Sequence, residues 1–342
     1  MIPVLYFRSS SLGSWDYCPM SYFICYNLGW QQPAQKKAQL GTVVHKVLEC
    51  LAQCKQRLQY GENPGMRIED GELGTIKFTK NSLYTNKFVV SILDKSYEYY
   101  TTSDKINQYD SEADYDFCRE MVDSCLNYNN GQFDPRKTKI VAPEKSFDIE
   151  IDEPWATFDY NGKQTKLRIK GTMDLITESD PDTLEYVDYK TGKRINWATG
   201  QEKTYDKLYD DIQLLLYYYA IRKLYPQYSY VIMTIFFLRD GGPFSLCYEQ
   251  KDEEKFLEKL KTKFLEIKNN SMPKPINSAR SDFRCTRVCH YYKNNWPGTE
   301  KRICNYVEDQ IKLYGIDNAI KSCSKPGFSL DFYSAPGTAQ NQ

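Results

Sequence analysis

Two short segments put charged groups where apolar strand residues are expected. Gly171-Thr172-Met173-Asp174-Leu175-Ile176 and Tyr186-Val187-Asp188-Tyr189-Lys190-Thr191-Gly192 each carry a carboxylate inside a β-prone run. An ionised Asp left unpaired in such surroundings is costly, so each calls for a cation, an ion-pair partner or water. Asp188 and Lys190 are two apart and on a strand leave from the same face. An acid beside an ammonium suits phosphodiester hydrolysis, which needs hard oxygen ligands for one or two divalent ions (Mg²⁺ or Mn²⁺) and a cation to orient water or steady the pentacovalent oxyanion. On this reading Asp174 and Asp188 hold the metal, Lys190 faces the attacking water or the scissile phosphate, and Gly192 lets the chain turn sharply afterwards. One Asp-x-Lys taken alone is better read as a salt-bridged edge strand ending in a turn, so its surroundings decide.

The pattern around these segments predicts helices, three strands, a helix and a strand. Apolar residues at three- and four-residue steps mark helices over 11–26, entered through Ser9 and Ser10, and over 38–58 (Leu40, Val44, Val47, Leu48, Leu51). Residues 61–74 hold four Gly and one Pro without periodicity and read as a loop. Helices over 82–100 and 112–128 follow, the second ending in Asn129-Asn130-Gly131. After Pro143 the period becomes two: Phe147, Ile149 and Ile151 form a strand that Asn161-Gly162 joins to 166–176 as a hairpin. A third strand over 184–189, a helix over 207–224, a strand over 230–238 with a partner at 244–248 across Gly241-Gly242, and an amphipathic helix over 253–268 complete the pattern. Beyond Pro273 the chain reads as Cys-rich and irregular, and 324–342 as a mobile tail.

Composition bounds the partners. With 45 Lys plus Arg against 45 Asp plus Glu in 342 residues, no global positive field holds a polyanion, so a nucleic-acid site must be a local patch. Lys163, Lys166, Arg168 and Lys170 before Asp174, and Lys193 and Arg194 after Asp188, form such a zone. Tyr189, Trp197 and Tyr205 are candidates for stacking on unpaired bases. The longest apolar runs are too short to cross a bilayer as helices, and residues 1–15 lack the marks of a signal peptide, so a soluble, intracellular (cytoplasmic) protein without a membrane partner is expected.

In order and spacing, these segments resemble the PD-(D/E)XK nuclease superfamily, in particular its RecB-like branch. The shared pattern is Gly171-x-x-Asp174, then Asp188-x-Lys190-Thr191-Gly192, then Gln213 and Tyr217 one turn apart on a helix. The resemblance implies two further site residues, His45 in Leu40-Gly41-Thr42-Val43-Val44-His45 and Glu144 in Ala142-Pro143-Glu144. It thus assigns Asp174, Asp188, Lys190, Glu144, Gln213 and Tyr217 to catalysis and sets His45, Asp174, Asp188 and Tyr189 around the metal. The implied fold is an α/β restriction-endonuclease-like core, a central mixed sheet flanked by helices, with a helical insert and a Cys-rich C-terminal closure. Its parts would be N-terminal helices over 1–60, the insert over 61–140, the core over 141–270, a cluster-binding region over 271–323 and the tail.

Eleven Cys is an odd number and too sparse for a disulfide scaffold, which favours thiol or metal chemistry. Cys18 lies before the core, and Cys285, Cys289 and Cys304 after it. In the iron-sulfur members of the RecB-like branch (AddB-like subunits, exonuclease V enzymes and CRISPR adaptation nucleases), that arrangement holds a [4Fe-4S] cluster, which needs four thiolates. Here the spacing is Cys-x3-Cys and then fourteen residues to Cys304, longer than the usual pattern. Cys323 and His290 are rival ligands, and four Cys would equally hold structural Zn. Cys25, Cys50, Cys54, Cys118, Cys125 and Cys247 read as core residues. The expected function is metal-dependent hydrolysis of DNA, most of all at single-stranded ends. The alternatives are a CRISPR-type adaptation nuclease working with protein partners and a non-catalytic, cluster-stabilised DNA-binding subunit.

Overall fold

The structure, a computed structural model, describes residues 1–61, 66–195, 200–240, 242–276 and 283–330. Trp197, Gly241 and residues 331–342 of the expected tail lie outside these. In chain order the elements begin with β1 (Tyr6–Arg8), α1 (Ser9–Tyr17), α2 (Pro19–Tyr22), α3 (Lys36–Gln59), β2 (Arg67–Asp70) and β3 (Gly74–Lys77). Then come α4 (Lys80–Leu83), α5 (Asn86–Ser103), α6 (Ala113–Asn127), β4 (Lys139–Glu150), β5 (Thr157–Tyr160) and β6 (Lys163–Lys166). The series continues with β7 (Arg168–Asp180), β8 (Thr183–Lys190), α7 (Tyr205–Tyr209), α8 (Ile212–Leu224), β9 (Tyr230–Phe237), β10 (Gly242–Cys247) and α9 (Gln250–Lys268).

A six-stranded mixed sheet runs β1-β7-β8-β9-β10, with β4 also paired to β7. β7 and β8 are antiparallel, with Leu175 opposite Val187; β8 and β9 are parallel, with Asp188 opposite Ile235. The chain forms two compact units, one of residues 34–145 and 172–250, the other of residues 1–33, 146–171 and 251–342. In the first, Val43, Val44, Val47 and Leu51 of α3 share a core with Ile92 of α5, Val122 of α6, and Leu175, Val187 and Phe236 of the sheet. Each such side chain, fully buried, contributes about 1.5–3 kcal/mol, so α3 is fixed by its apolar stripe. In the second unit, Leu330 packs with Leu5 and Tyr6, and Phe328 lies where any Cβ on Gly29 would stand, 2.2 Å from its nearest atom.

The structure corrects the sequence pattern in five places. The expected loop over 61–74 contains β2, paired antiparallel with β3; Ile68 and Ile76 face each other and are buried, an alternation that the surrounding Gly obscured. Asn161-Gly162, both at positive φ, joins β5 to β6 in a separate two-stranded sheet rather than joining β4 to β7. The first helix breaks at Cys18, which is extended and followed by Pro19. The helix expected over 207–224 is two, because Asp211 Oδ1 accepts the N–H of Gln213 at 2.9 Å and starts α8 afresh. The C-terminal stretch is helical at Ile303–Tyr314 and Ile316–Cys323, where Val307, Ile311, Ile316 and Ala319 are buried at helical spacing. Among the described residues no helix is long and apolar enough to cross a membrane.

Candidate metal centre and cysteine centre

In the first unit β7 delivers Asp174, β8 delivers Asp188 and Lys190, and α3 brings His45 to them. Gly41 lies one turn before His45, where an added Cβ would come within 2.8 Å of Thr191 Oγ1. Only a glycine lets α3 approach the end of β8 this closely. His45 Nδ1 then lies 3.4 Å from Asp174 Oδ2, which also accepts the backbone N–H of Tyr189 at 2.9 Å. Glu144 comes from within β4, where it adopts φ +45°, a left-handed conformation that costs a non-glycine residue about 1–2 kcal/mol. One ligand atom from each of His45, Glu144 and Asp174 lies within 4.8 Å of the other two. An imidazole nitrogen and two carboxylate oxygens at that spacing fit a divalent ion.

The charges around this trio are held in tension. Burial works against a charged His45, but the charge and hydrogen bond of Asp174, aided by Asp188, raise its pKa to about 9. Burial, with Asp174 and Glu49 nearby, pushes Glu144 up to about 8. Burial likewise acts against an ionised Asp174, yet His45 and Lys190 bring its pKa below the ordinary value. At neutral pH the trio therefore holds protons on His45 and Glu144 and a charge on Asp174. Beside His45 on α3, Lys46 Nζ binds Glu49, Asp70 and Glu72 at 2.8, 3.1 and 3.0 Å, tying the helix to the β2–β3 hairpin of the expected insert.

Asp188 stands next to the trio and is held differently. It accepts the Tyr186 hydroxyl at 3.0 Å through Oδ1, and Oδ2 lies 2.6 Å from Lys190 Nζ as an ion pair without hydrogen-bond alignment. Burial raises its pKa despite Lys190. Lys190 stays charged because Asp188 and Asp174 outweigh its own burial. On the far side of this pair a cleft of about 390 Å³ is lined by Asp188, Lys190, Lys193, Lys203, Asp211 and Gln213. Tyr217, one turn on from Gln213, is buried against Tyr186 with ring centroids 5.1 Å apart and bears electrostatically on Lys190.

The structure removes two sequence expectations about DNA contacts. Tyr189 is buried, with its ring edge-on to His45, so it cannot stack on a base; Tyr205 is exposed. The basic run before Asp174 is already neutralised: Lys166 pairs with Asp152, Arg168 with Asp148 and Glu150, and the buried Lys170 with Asp148. Lys163 remains exposed. Gly41, Thr191 and Tyr186 were missed as supports of the site. Tyr186 had a signal, since it shares a strand face with Asp188; the Gly41 contact had none.

In the second unit the chain brings four of the eleven cysteines into one another's fields. Cys18 sits at the break between α1 and α2, its sulfur accepting the N–H of Ser21 at 3.4 Å. Cys285 lies on the helical turn Arg284–Val288, Cys289 directly follows it, and Cys304 lies in the first turn of Ile303–Tyr314. Burial pushes the Cys304 thiol up to about 12, with Cys289, Cys18 and Cys285 adding to the rise. Burial, Cys18 and Cys285 act on Cys289 in the same sense. Cys323 is raised by burial alone, and His290 is lowered by burial and Lys293, so neither rival shows these neighbours. Cys50, Cys54, Cys118 and Cys125 are buried as expected, Cys25 partly so, whereas Cys247 is exposed on β10.

No curated protein sequence matches the chain. Among solved structures, that of a "Putative exonuclease" from Eubacterium rectale is 10% identical, covering 78% of this chain and 80% of that one at a TM-score of 0.42. The structure of SSO0001 is 14% identical, covering 72% of this chain and 86% of that one at a TM-score of 0.26. Both are too distant to bear on function. Residues 9–293 match the PD-(D/E)XK nuclease superfamily, a span that takes in α3, both Asp-bearing strands and α8. With that match over most of its length, on a mixed sheet flanked by helices, the chain belongs to the PD-(D/E)XK nuclease superfamily.

Proposed function

We propose that the protein is a metal-dependent DNA nuclease that acts on single-stranded ends and is stabilised by a [4Fe-4S] cluster. The observation that carries the nuclease reading is the convergence of His45, Glu144 and Asp174 beside the buried Asp188 and its ion-pair partner Lys190. His45, Glu144 and Asp174 would hold Mg²⁺ or Mn²⁺, with Asp188 adjoining. A divalent ion there supplies Lewis acidity toward a phosphate and lowers the pKa of water.

The chain's own groups supply the rest. Lys190 offers a fixed positive charge at the mouth of the cleft, suited to the developing charge of a phosphate or to orienting water. Tyr186 holds Asp188 in place by donating to it, and the N–H of Tyr189 does the same for Asp174. Gln213 on α8 lines the cleft as a hydrogen-bonding group for the substrate, and Tyr217, one turn on, packs against Tyr186. A subunit without catalysis would have no use for a buried acid paired with an ammonium in this way.

For the cluster, the support is that Cys18, Cys285 and Cys289 all bear electrostatically on Cys304, and Cys18 and Cys285 on Cys289. Four thiols fit the donor set of a [4Fe-4S] centre. Bound metal would draw off their protons, despite the upward shift at Cys289 and Cys304, adding its binding energy to folding.

The test is incubation with end-labelled single- and double-stranded DNA with Mg²⁺ or Mn²⁺, alongside Lys190→Ala. Shortening of single-stranded DNA by the wild type and a loss of about 10²–10³-fold in the variant are expected. Wild-type rates in Lys190→Ala would refute the assignment.

A further inference from the structure

The cleft beside Lys190 carries two further cations whose placement is built. The chain leaves β8 at Lys190 and returns toward α7 through a loop with a fixed base. Ile195 and Glu202 form an antiparallel bridge, and the N–H of Lys203 donates to the carbonyl of Arg194 at 3.1 Å. Arg194 locks this base from inside. Its guanidinium donates to the carbonyl of Lys203 at 3.0 Å and to Glu202 at 3.2 Å, lies 4.7 Å from the Phe244 ring centre, and its backbone N–H is held by Asp240. The charge of Arg194 is thus spent on holding the loop, and the two legs present Lys193 and Lys203 to the cleft.

Lys193 is exposed and has no carboxylate partner among the described residues; Lys203 meets Asp211 only at 3.7 Å. Together with Lys190, three ammonium groups line one cleft whose carboxylates are Asp188, already paired with Lys190, and Asp211. A volume of about 390 Å³ lies at the small-ligand end of binding sites, about 300–1,000 Å³, the scale of a nucleotide unit and not of a duplex.

We propose that this cleft seats one nucleotide of a single strand, with Lys193 and Lys203 gripping the phosphate next to the one that Lys190 faces. The proposal rests on the nuclease reading and names the substrate's form at the same site. Lysine recognises phosphate as a point charge and not through a base edge, so the grip is indifferent to sequence. Each lysine that neutralises a phosphate releases condensed counterions, and the salt dependence of binding counts them.

The measurement is fluorescence anisotropy of a labelled oligothymidylate against salt concentration, with anaerobically purified protein and no added divalent cation, so that binding is read without cleavage. Lys193→Ala and Lys203→Ala should each flatten the slope of log K against log salt, and the double variant by about 0.7 in all, the one phosphate they share, with affinity roughly tenfold weaker. Lys193→Arg should restore the slope, and Lys77→Ala, at an exposed position on β3, should leave it unchanged. A duplex of the same length should show no slope change in the double variant. A folded double variant with wild-type affinity and slope would overturn the proposal, as would an equal loss on the duplex. If the wild type binds in this way yet cleaves nothing, the nuclease reading fails alone; if it cleaves while the slopes never move, the cleft proposal fails alone.

Discussion

In the proposed metal centre, two of the three groups carry protons where a cation would otherwise sit. His45 keeps its proton to about pH 9, against 6.5 ordinarily, and Glu144 to about 8, against 4.5. In both cases the folded chain binds more protons than the unfolded one, so the stability of the metal-free protein falls as pH rises through that window. A divalent ion must displace the same protons, so its affinity rises over the same range. Melting curves at about pH 6 and about pH 8.5 check both signs: the metal-free melting temperature should drop at the higher pH, and the gain on adding Mn²⁺ should be larger there. A larger Mn²⁺ gain at the lower pH would contradict the assignment. Asp174, Asp188 and Lys190 were legible in the sequence because charge inside an apolar strand is physically anomalous. The left-handed φ of Glu144 was not legible, because that conformation is imposed by neighbours distant in the chain. The same cause hid the loss of the basic hairpin: period two aligns Lys166, Arg168 and Lys170, but the acids that absorb them lie some twenty residues earlier, at Asp148, Glu150 and Asp152.

At the scale of elements, the site depends on how closely α3 approaches the end of β8. Gly41→Ala would force its Cβ against the stiff side chain of Thr191, and overpacking of this kind costs about 1–3 kcal/mol. The expected result is a lower melting temperature and weaker Mn²⁺ binding, because His45 is moved off Asp174. Removing the opposing oxygen should undo this: Gly41→Ala combined with Thr191→Ala should regain Mn²⁺ affinity, a coupling that a double-mutant cycle measures. If the two changes were additive, the close approach would not govern the site. The long helices and the β7–β8–β9 strands were readable because each keeps one period over many residues. The β2–β3 hairpin escaped because its strands are four residues each, with the alternation confined to Ile68 and Ile76. The C-terminal helices escaped because their apolar residues are few and interleaved with charge.

At the scale of the whole molecule, the proposed cluster would join Cys18 to a region more than two hundred residues later and close the second unit on itself. Anaerobically purified protein should then be brown and contain iron. Cys18→Ser and Cys285→Ser should each lower both the iron content and the melting temperature, since the cluster's binding energy is folding energy. Cys118→Ser, in the core of the first unit, should leave iron unchanged. Stoichiometric zinc, or no metal, would refute the cluster without touching the metal centre. The proposed centre at His45, Glu144 and Asp174 is open to direct measurement by Mn²⁺ soaked into crystals and located by anomalous scattering. A peak bounded by His45, Glu144 and Asp174, absent in Asp174→Ala, is expected. A peak elsewhere, at the Glu49, Asp70 and Glu72 carboxylates for instance, with none at that trio in an enzyme that cleaves with Mn²⁺, would contradict it.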